Sequence, residues 1–347
     1  MRNGGVRGRR YRQDRRRHLP GWPRWLGGLL LGGAAVGLSA AAHAWIVRQA
    51  RPPRAPSWGQ AHRFAGRQGE ICFQQLGADS DGTEPLLLLH SFGPGHDSAE
   101  WRAAAEILAG RRSVYVPDLP GWARSAPPRF YRPGAYVSAL EDFLSGVVRE
   151  PAVIVAAGLP GAYALEVAAA RPHLVRALAL IAPQGLVSGV DASAGGPLRS
   201  WRRGGAGLLR RLTAVPLVGV TALDLLTSYP ALAGHLRREV YAAPERVDAG
   251  LVEHHYRASH LREARRALTA YLAGSLRPAT ASLPVPDQPV WIAWGRKAVH
   301  PPVANADLWL RRLPQAEIEV FERCGSLPHA EAPAAFCQAL ERFLASV

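Results

Sequence analysis

The sequence predicts an α/β protein built on an open, doubly wound and mostly parallel sheet. Three observations predict it: continuous apolar runs of strand length, helical patterns between them, and one interruption of that alternation in the second half of the chain. A continuous apolar run marks a strand covered on both faces, which is the situation of a parallel sheet sandwiched between helices.

The strand candidates, in order, are PLLLLHS (85–91), RSVYVPDL (112–119), AVIVAAG (152–158), VRALALIAPQ (175–184), PVWIAWG (289–295) and AEIEVFERCG (316–325). SAEWRAAAEILAG, AYVSALEDFLSGVV, PVANADLWLRRLP and the closing APAAFCQALERFLASV carry helical spacing between and after them. Between about Gln184 and Gln288 no strand candidate occurs. That stretch holds GAGLLRRLTAVPLVGVTALDLLTS and DAGLVEHHYRASHLREARRALTAYLAG. Residues 185–288 are therefore expected to form a helical cap inserted over the carboxyl edge of the sheet.

The chain has 347 residues, 48% of them hydrophobic, and a formal net charge of +15. That is enough apolar material for one large domain with an appendage. More than half of the net charge sits in residues 1–24, which hold nine Arg against one acid. No interleaved aromatic and basic stripe or known binding motif accompanies this arm, which argues against a nucleic-acid partner. Directly after it, LGGLLLGGAAVGLSAAAHAWIV (26–47) contains no charged residue and is bounded by Trp22, Trp25 and Trp45. Such a segment is long enough to span a bilayer. Residues 25–47 are thus expected to be a single-pass transmembrane anchor. By the positive-inside rule the 1–24 arm is then cytoplasmic and the bulk of the chain extracytoplasmic. Ala42 to Ala44 offers a small-x-small site, so a cleaved signal peptide with a secreted domain is the alternative, and a buried hydrophobic hairpin a third reading. The Pro and polar content of RQARPPRAPSWGQ makes 48–64 a linker and places the folded domain at 65–347.

Three cysteines, Cys72, Cys324 and Cys337, lack metal-ligand spacing, and no cofactor or metal signature is present. Cys324 and Cys337 read as small buried hydrophobes, with a mutual disulfide as the alternative.

Taken in order, LLLLHSFGPGHDSAEWR, VYVPDLPGWARS, VIVAAGLPGAYAL, PVWIAWG and CGSLPHAEAPAAF resemble an α/β-hydrolase of the prolyl-aminopeptidase and haloperoxidase-like branch. The likeness runs over roughly residues 65 to 347. It implies a nucleophile on a strand-to-helix elbow (G-x-S-x-G), an acid after a later strand, a His near the end, and an oxyanion hole of backbone N–H groups. Aligned on these motifs, the nucleophile position holds Gly158, the acid position Ala298 and the His position Ser326. Removing a triad nucleophile or base typically costs about a millionfold in kcat. Three such departures together predict a pseudo-hydrolase, a fold-bearing protein without Ser-His-Asp chemistry.

The resemblance also implies that the oxyanion side persists, with His90 and Ser91 at the family's HG position and the N–H groups of Phe92 and Leu159 facing the pocket. His90 is expected to brace the loop. Ser91 and His329 are the possible substitutes for the lost catalytic groups, although a satisfied loop hydroxyl and a turn-and-cap residue are the simpler readings. Asp118 is expected to fix its loop beside Arg124 and Ser125. Trp122 and Trp294 at strand ends, with Tyr229, Tyr241, Tyr256, His254, His255 and His260 from the cap, suggest an aromatic pocket or simply cap packing. Adjacent His254 and His255 cannot share one helix face, which argues against a metal site. The expected function is a membrane-anchored, non-catalytic binder of a small molecule or lipid, or an assembly protein. The alternative is a hydrolase of small ester or acyl substrates with a displaced catalytic set.

Overall fold

The computed structural model describes residues 57–77, 83–186, 222–279 and 283–347. The 1–24 arm, the 25–47 segment, most of the 48–64 linker and the first part of the cap lie outside the described residues. Among the described residues no helix is long and apolar enough to cross a membrane.

An eight-stranded sheet forms the frame, in the order β1-β2-β4-β3-β5-β6-β7-β8. The strands are β1 (Gln60–Gly66), β2 (Gly69–Leu76), β3 (Leu86–Leu89), β4 (Val114–Pro117), β5 (Ala152–Ala157), β6 (Val175–Ile181), β7 (Val290–Gly295) and β8 (Glu317–Phe321). From β3 to β8 all neighbours are parallel, while β2 runs antiparallel to both β1 and β4. Each expected apolar run contains one of β3 to β8. The β1–β2 hairpin is an addition to the expected set, and its first strand starts at Gln60, within the stretch read as linker. The reason is physical: β1 is an edge strand, largely exposed, so its sequence QAHRFAG needs no apolar run.

The continuous apolar strands divide between two helical layers by simple alternation. Leu87, Leu89, Ile154, Leu178, Leu180 and Trp294 face one layer, where Tyr136 and Leu140 of α2 (Pro133–Phe143) and Tyr163 of α3 (Pro160–Ala170) are buried. Leu86, Leu88, Val153, Val155, Ala179 and Trp291 face the other, where α1 (Arg102–Leu108) contributes Ala105 and α9 (Pro333–Leu344) contributes Phe336 and Leu340. A full-length truncation such as Leu88→Ala in this two-sided core costs about 2–5 kcal/mol.

The described part of the insert between β6 and β7 is helical: α4 (Tyr229–His235), α5 (Ala249–Ser259) and α6 (Arg262–Leu272). Asp248 caps α5 by accepting from Leu251 N–H at 2.7 Å. The run HHYRASHLREARR is two helices, because the chain turns at His260 and Leu261. Leu232, Leu236, Val240 and Val252 form a small separate core closed by Leu327, which precedes the short α8 (Pro328–Glu331). α7 (Ala306–Arg312) connects β7 to β8. All three cysteines are free and buried.

Candidate functional site at the strand–helix elbow

Strand β5 ends at Ala157, the chain turns at Gly158 with φ of 66°, and α3 starts at Pro160. Pro at the first helical position presets φ and gives up an N–H that has no intrahelical partner there. The positive φ is the backbone conformation of a nucleophile elbow, and here glycine adopts it without strain. A Cβ built on Gly158 would lie 3.6 Å from Ser91 Cβ and 3.7 Å from Gln184 Nε2, both ordinary contacts. A Cβ is therefore accommodated in close contact at the elbow, where glycine supplies no reactive atom. Gln184 N–H donates to Gly158 O at 3.2 Å, and the Gln184 amide oxygen accepts from Tyr271 of α6 at 3.1 Å.

The loop after β3 supplies the opposite wall. His90 is fully buried; its Nε2 accepts from Leu119 N–H at 3.0 Å, so Nδ1 carries the proton and donates to Ser91 O at 2.8 Å. This is the loop-bracing role expected from sequence. Phe92 stacks on Trp122 at 4.6 Å and packs near Tyr136 and Tyr163, and Leu159 is buried just before α3. The Trp122 indole N–H lies beside the Tyr136 phenol without closing a good hydrogen bond.

Ser91 is drawn into a closed triangle that the sequence does not announce. Its hydroxyl donates to Glu100 Oε2 at 2.8 Å and lies 2.8 Å from His96 Nδ1, which is itself 2.9 Å from the same Glu100 oxygen. Ser91 N–H donates to Glu100 Oε1 at 2.8 Å. His329, fully buried and stacked on Trp101 at 3.8 Å, places Nε2 at 3.4 Å from Glu100 Oε1, an ion-pair distance longer than a good hydrogen bond. Burial alone would raise Glu100, but His329 and His96 more than offset it and hold the carboxyl well below its usual range.

A working triad needs the hydroxyl on one ring nitrogen and the carboxylate on the other. Here Ser91 and Glu100 share His96 Nδ1, so that nitrogen serves as donor to the carboxylate and has no lone pair to accept the Ser91 proton. That proton points instead at a carboxylate whose lowered pKa makes it a weak base.

The remaining family positions stand apart from this triangle. Ala298 is buried, with its N–H on Gly295 O at 3.1 Å. Ser326 N–H donates to Val240 O at 2.9 Å, and its hydroxyl lies 3.5 Å from Glu239 O and 3.4 Å from His300 O. It faces the returning cap backbone. Trp294 is pinned by its indole N–H on Pro301 O at 3.1 Å. Glu331 accepts from Gly325 N–H and from Ala242 N–H at 2.8 Å, fastening the same loop to the cap. Asp118 accepts from Arg124 Nε at 2.9 Å and from Ser98 N–H at 3.1 Å, a loop brace.

The cap closes on the loop that carries the triangle. His254 of α5 reaches Asp97 at 2.9 Å, and His255 contacts Pro94 O through Nδ1 at 2.9 Å. Burial pushes His255 down to about 3, so it is neutral. Although the two rings leave the helix in different directions, both meet residues 94–97. Tyr229 and Tyr256 pack together, and Tyr256 against His260, within the cap itself.

Known proteins match this chain in sequence and in fold. The profile described as the alpha/beta hydrolase family matches residues 86–339. An uncharacterised protein of Mycobacterium tuberculosis is 30% identical over 273 residues, covering 75% of this chain and 74% of the relative. A 2-hydroxy-6-oxononadienedioate/2-hydroxy-6-oxononatrienedioate hydrolase of a Pseudomonas species is 27% identical over 282 residues, 76% of this chain and 89% of that one. Among solved structures, a serine hydrolase involved in carbazole degradation superposes with a TM-score of 0.65 at 19% identity, covering 83% of this chain and 99% of that one. With the elbow turn in place and the profile running from β3 into the last helix, the chain belongs to the alpha/beta hydrolase family.

Proposed function

We propose that this protein is a membrane-tethered alpha/beta-hydrolase-fold protein that holds a small apolar or lipid-like ligand, or an assembly partner, without hydrolysing it. The observation that carries the reading is Gly158 at the elbow: the backbone turn is kept, and the residue there has no side chain to act as a nucleophile. Ala298 and Ser326 at the acid and His positions support it, as does the commitment of the Ser91 hydroxyl to Glu100. The tether rests on the uncharged 26–47 segment behind its arginine-rich arm. The aromatic rings of Phe92, Trp122, Tyr136, Tyr163 and Tyr271 pack on one another beside the elbow and make its surroundings apolar.

A fluorophosphonate probe and a short-chain ester panel on the purified full chain test this. No labelling and no turnover above buffer is the expected outcome; stoichiometric labelling removes the reading. One observation favours a second reading, a hydrolase with a displaced nucleophile: Ser91 Cβ lies 3.6 Å from the Cβ position of residue 158, and its hydroxyl touches an imidazole. Turnover abolished by Ser91→Ala would establish that second reading in place of the first.

A further inference from the structure

The loop between β4 and α2 presents a feature that the elbow does not use. Phe130 is 56% exposed, and the guanidinium groups of Arg129 and Arg132 lie over its ring at 5.4 and 5.6 Å. Arg132 N–H donates to Phe130 O at 3.1 Å, a tight turn about Tyr131 that keeps both cations beside the aromatic ring. The loop is braced. Tyr131 lies so close to Gly121 that a Cβ there would come within 2.7 Å of the ring, and its phenol donates to Glu263 O of α6 at 3.4 Å. Burial and Glu263 push that phenol up to about 12, and Arg266 lies one turn along α6 from Glu263. Arg262 and Arg266 are exposed on α6, and no acid occurs between Asp118 and Glu141. Glu263, paired with Arg266 at 3.2 Å, is the acid that the contacts on this face display.

A solvent-exposed aromatic flanked by arginines suits an anionic bilayer surface. The ring enters the headgroup boundary, the alkyl stems follow it, and the guanidinium groups stay with the phosphates. An acidic protein surface offers the charge but no reason for an exposed phenylalanine at the tip. The uncharged 26–47 segment and the short 48–59 stretch after it supply a second reason to expect a bilayer close by. We infer that the Arg129–Phe130–Arg132 loop, with Arg262 and Arg266 of α6, docks the folded domain on an anionic lipid surface. The inference extends the tethered reading from the N-terminal segment to the domain.

The test uses the full chain with Phe130→Cys carrying a polarity-sensitive fluorophore; the native cysteines are free and buried, so residue 130 is the accessible label site among the described residues. Vesicles of phosphatidylcholine alone are compared with vesicles containing phosphatidylglycerol. The expected result is blue-shifted emission, quenched by brominated lipid, only where phosphatidylglycerol is present. It should weaken about twenty-five-fold per arginine reversed in Arg129→Glu and Arg132→Glu, two units of charge at about fivefold each, and disappear at high salt. Solvent-like emission on both lipids, or a blue shift indifferent to the two reversals, overturns the inference. Flotation separates the two readings. A chain that floats with phosphatidylcholine while residue 130 stays solvated is tethered but not docked. One that floats only with phosphatidylglycerol, and only with its arginines intact, is docked without the tether.

Discussion

His254 Nε2 sits 2.9 Å from the Asp97 carboxylate, joining helix α5 of the cap to the loop that follows β3 across 157 residues of sequence. Against the opposing pull of burial, Asp97 holds His254 above its ordinary 6.5, and His254 holds the buried Asp97 below 3.8. The latch contributes fully between the ordinary values of the two groups, 3.8 for Asp97 and 6.5 for His254. It is lost as pH rises through the raised His254 value, and again as pH falls through the lowered Asp97 value. The protection factor of α5, its exchange taken relative to the intrinsic base-catalysed rate, should accordingly fall above neutral pH in the native chain, and His254→Ala should show the low value at every pH. Protection of α5 that is independent of both would show that the latch is idle.

Glu100 is the carboxylate about which Ser91, His96 and His329 are arranged. Glu100→Ala should cost about 3 kcal/mol, because donors that are nearly inaccessible lose their acceptor. Urea unfolding reads this directly. Since the native pKa is depressed, the contribution is present above about 4.3, the value of an unperturbed glutamate, and fades as pH falls through the lower native value. The variant's deficit should therefore shrink in acid.

In Gly158→Ser the new Cβ makes ordinary van der Waals contacts, with the nearest heavy atoms at 3.6 and 3.7 Å. The serine must adopt a positive φ, which costs about 1 kcal/mol or more for a residue bearing a Cβ. The variant should fold with a slightly lowered melting temperature and stay inactive in an ester assay, because Ala298 and Ser326 supply neither acid nor base. Robust turnover in this single variant would reveal a base that the geometry does not provide.

Ser326→Ala should change stability by less than about 0.5 kcal/mol, because its hydroxyl contacts are 3.4 and 3.5 Å long and its backbone N–H bond to Val240 survives the change. A large loss, read by thermal unfolding, would mean that the hydroxyl fastens the cap more firmly than these distances imply.

Strands β3 to β8 and the elbow at Gly158 are legible in sequence because burial on both faces forces continuous apolar runs, and because small residues follow a strand only where a helix must pack closely behind it. The β1–β2 hairpin is not legible, since an exposed edge strand may be polar throughout. Gly158, Ala298 and Ser326 can be read as departures from a pattern. His96 and Glu100 cannot: HDSAE reads as the polar start of a helix, with Asp97 accepting from Ala99 N–H. Their partnership with Ser91 depends on how the 91–100 loop curls back on itself. His254 and His255 illustrate the same limit. Helix periodicity correctly separates their directions, yet the loop wraps far enough to meet both.

The triangle at Ser91 also decides which hydrogen-bond donors the elbow has left. Acyl transfer grows a negative charge next to the elbow residue, and the fold ordinarily answers it with N–H dipoles. Here a buried carboxylate already takes up the Ser91 amide and hydroxyl on that side. The Ser91 N–H is thereby spoken for and is not available to an oxyanion on that side, an arrangement that accords with the proposed non-hydrolytic role.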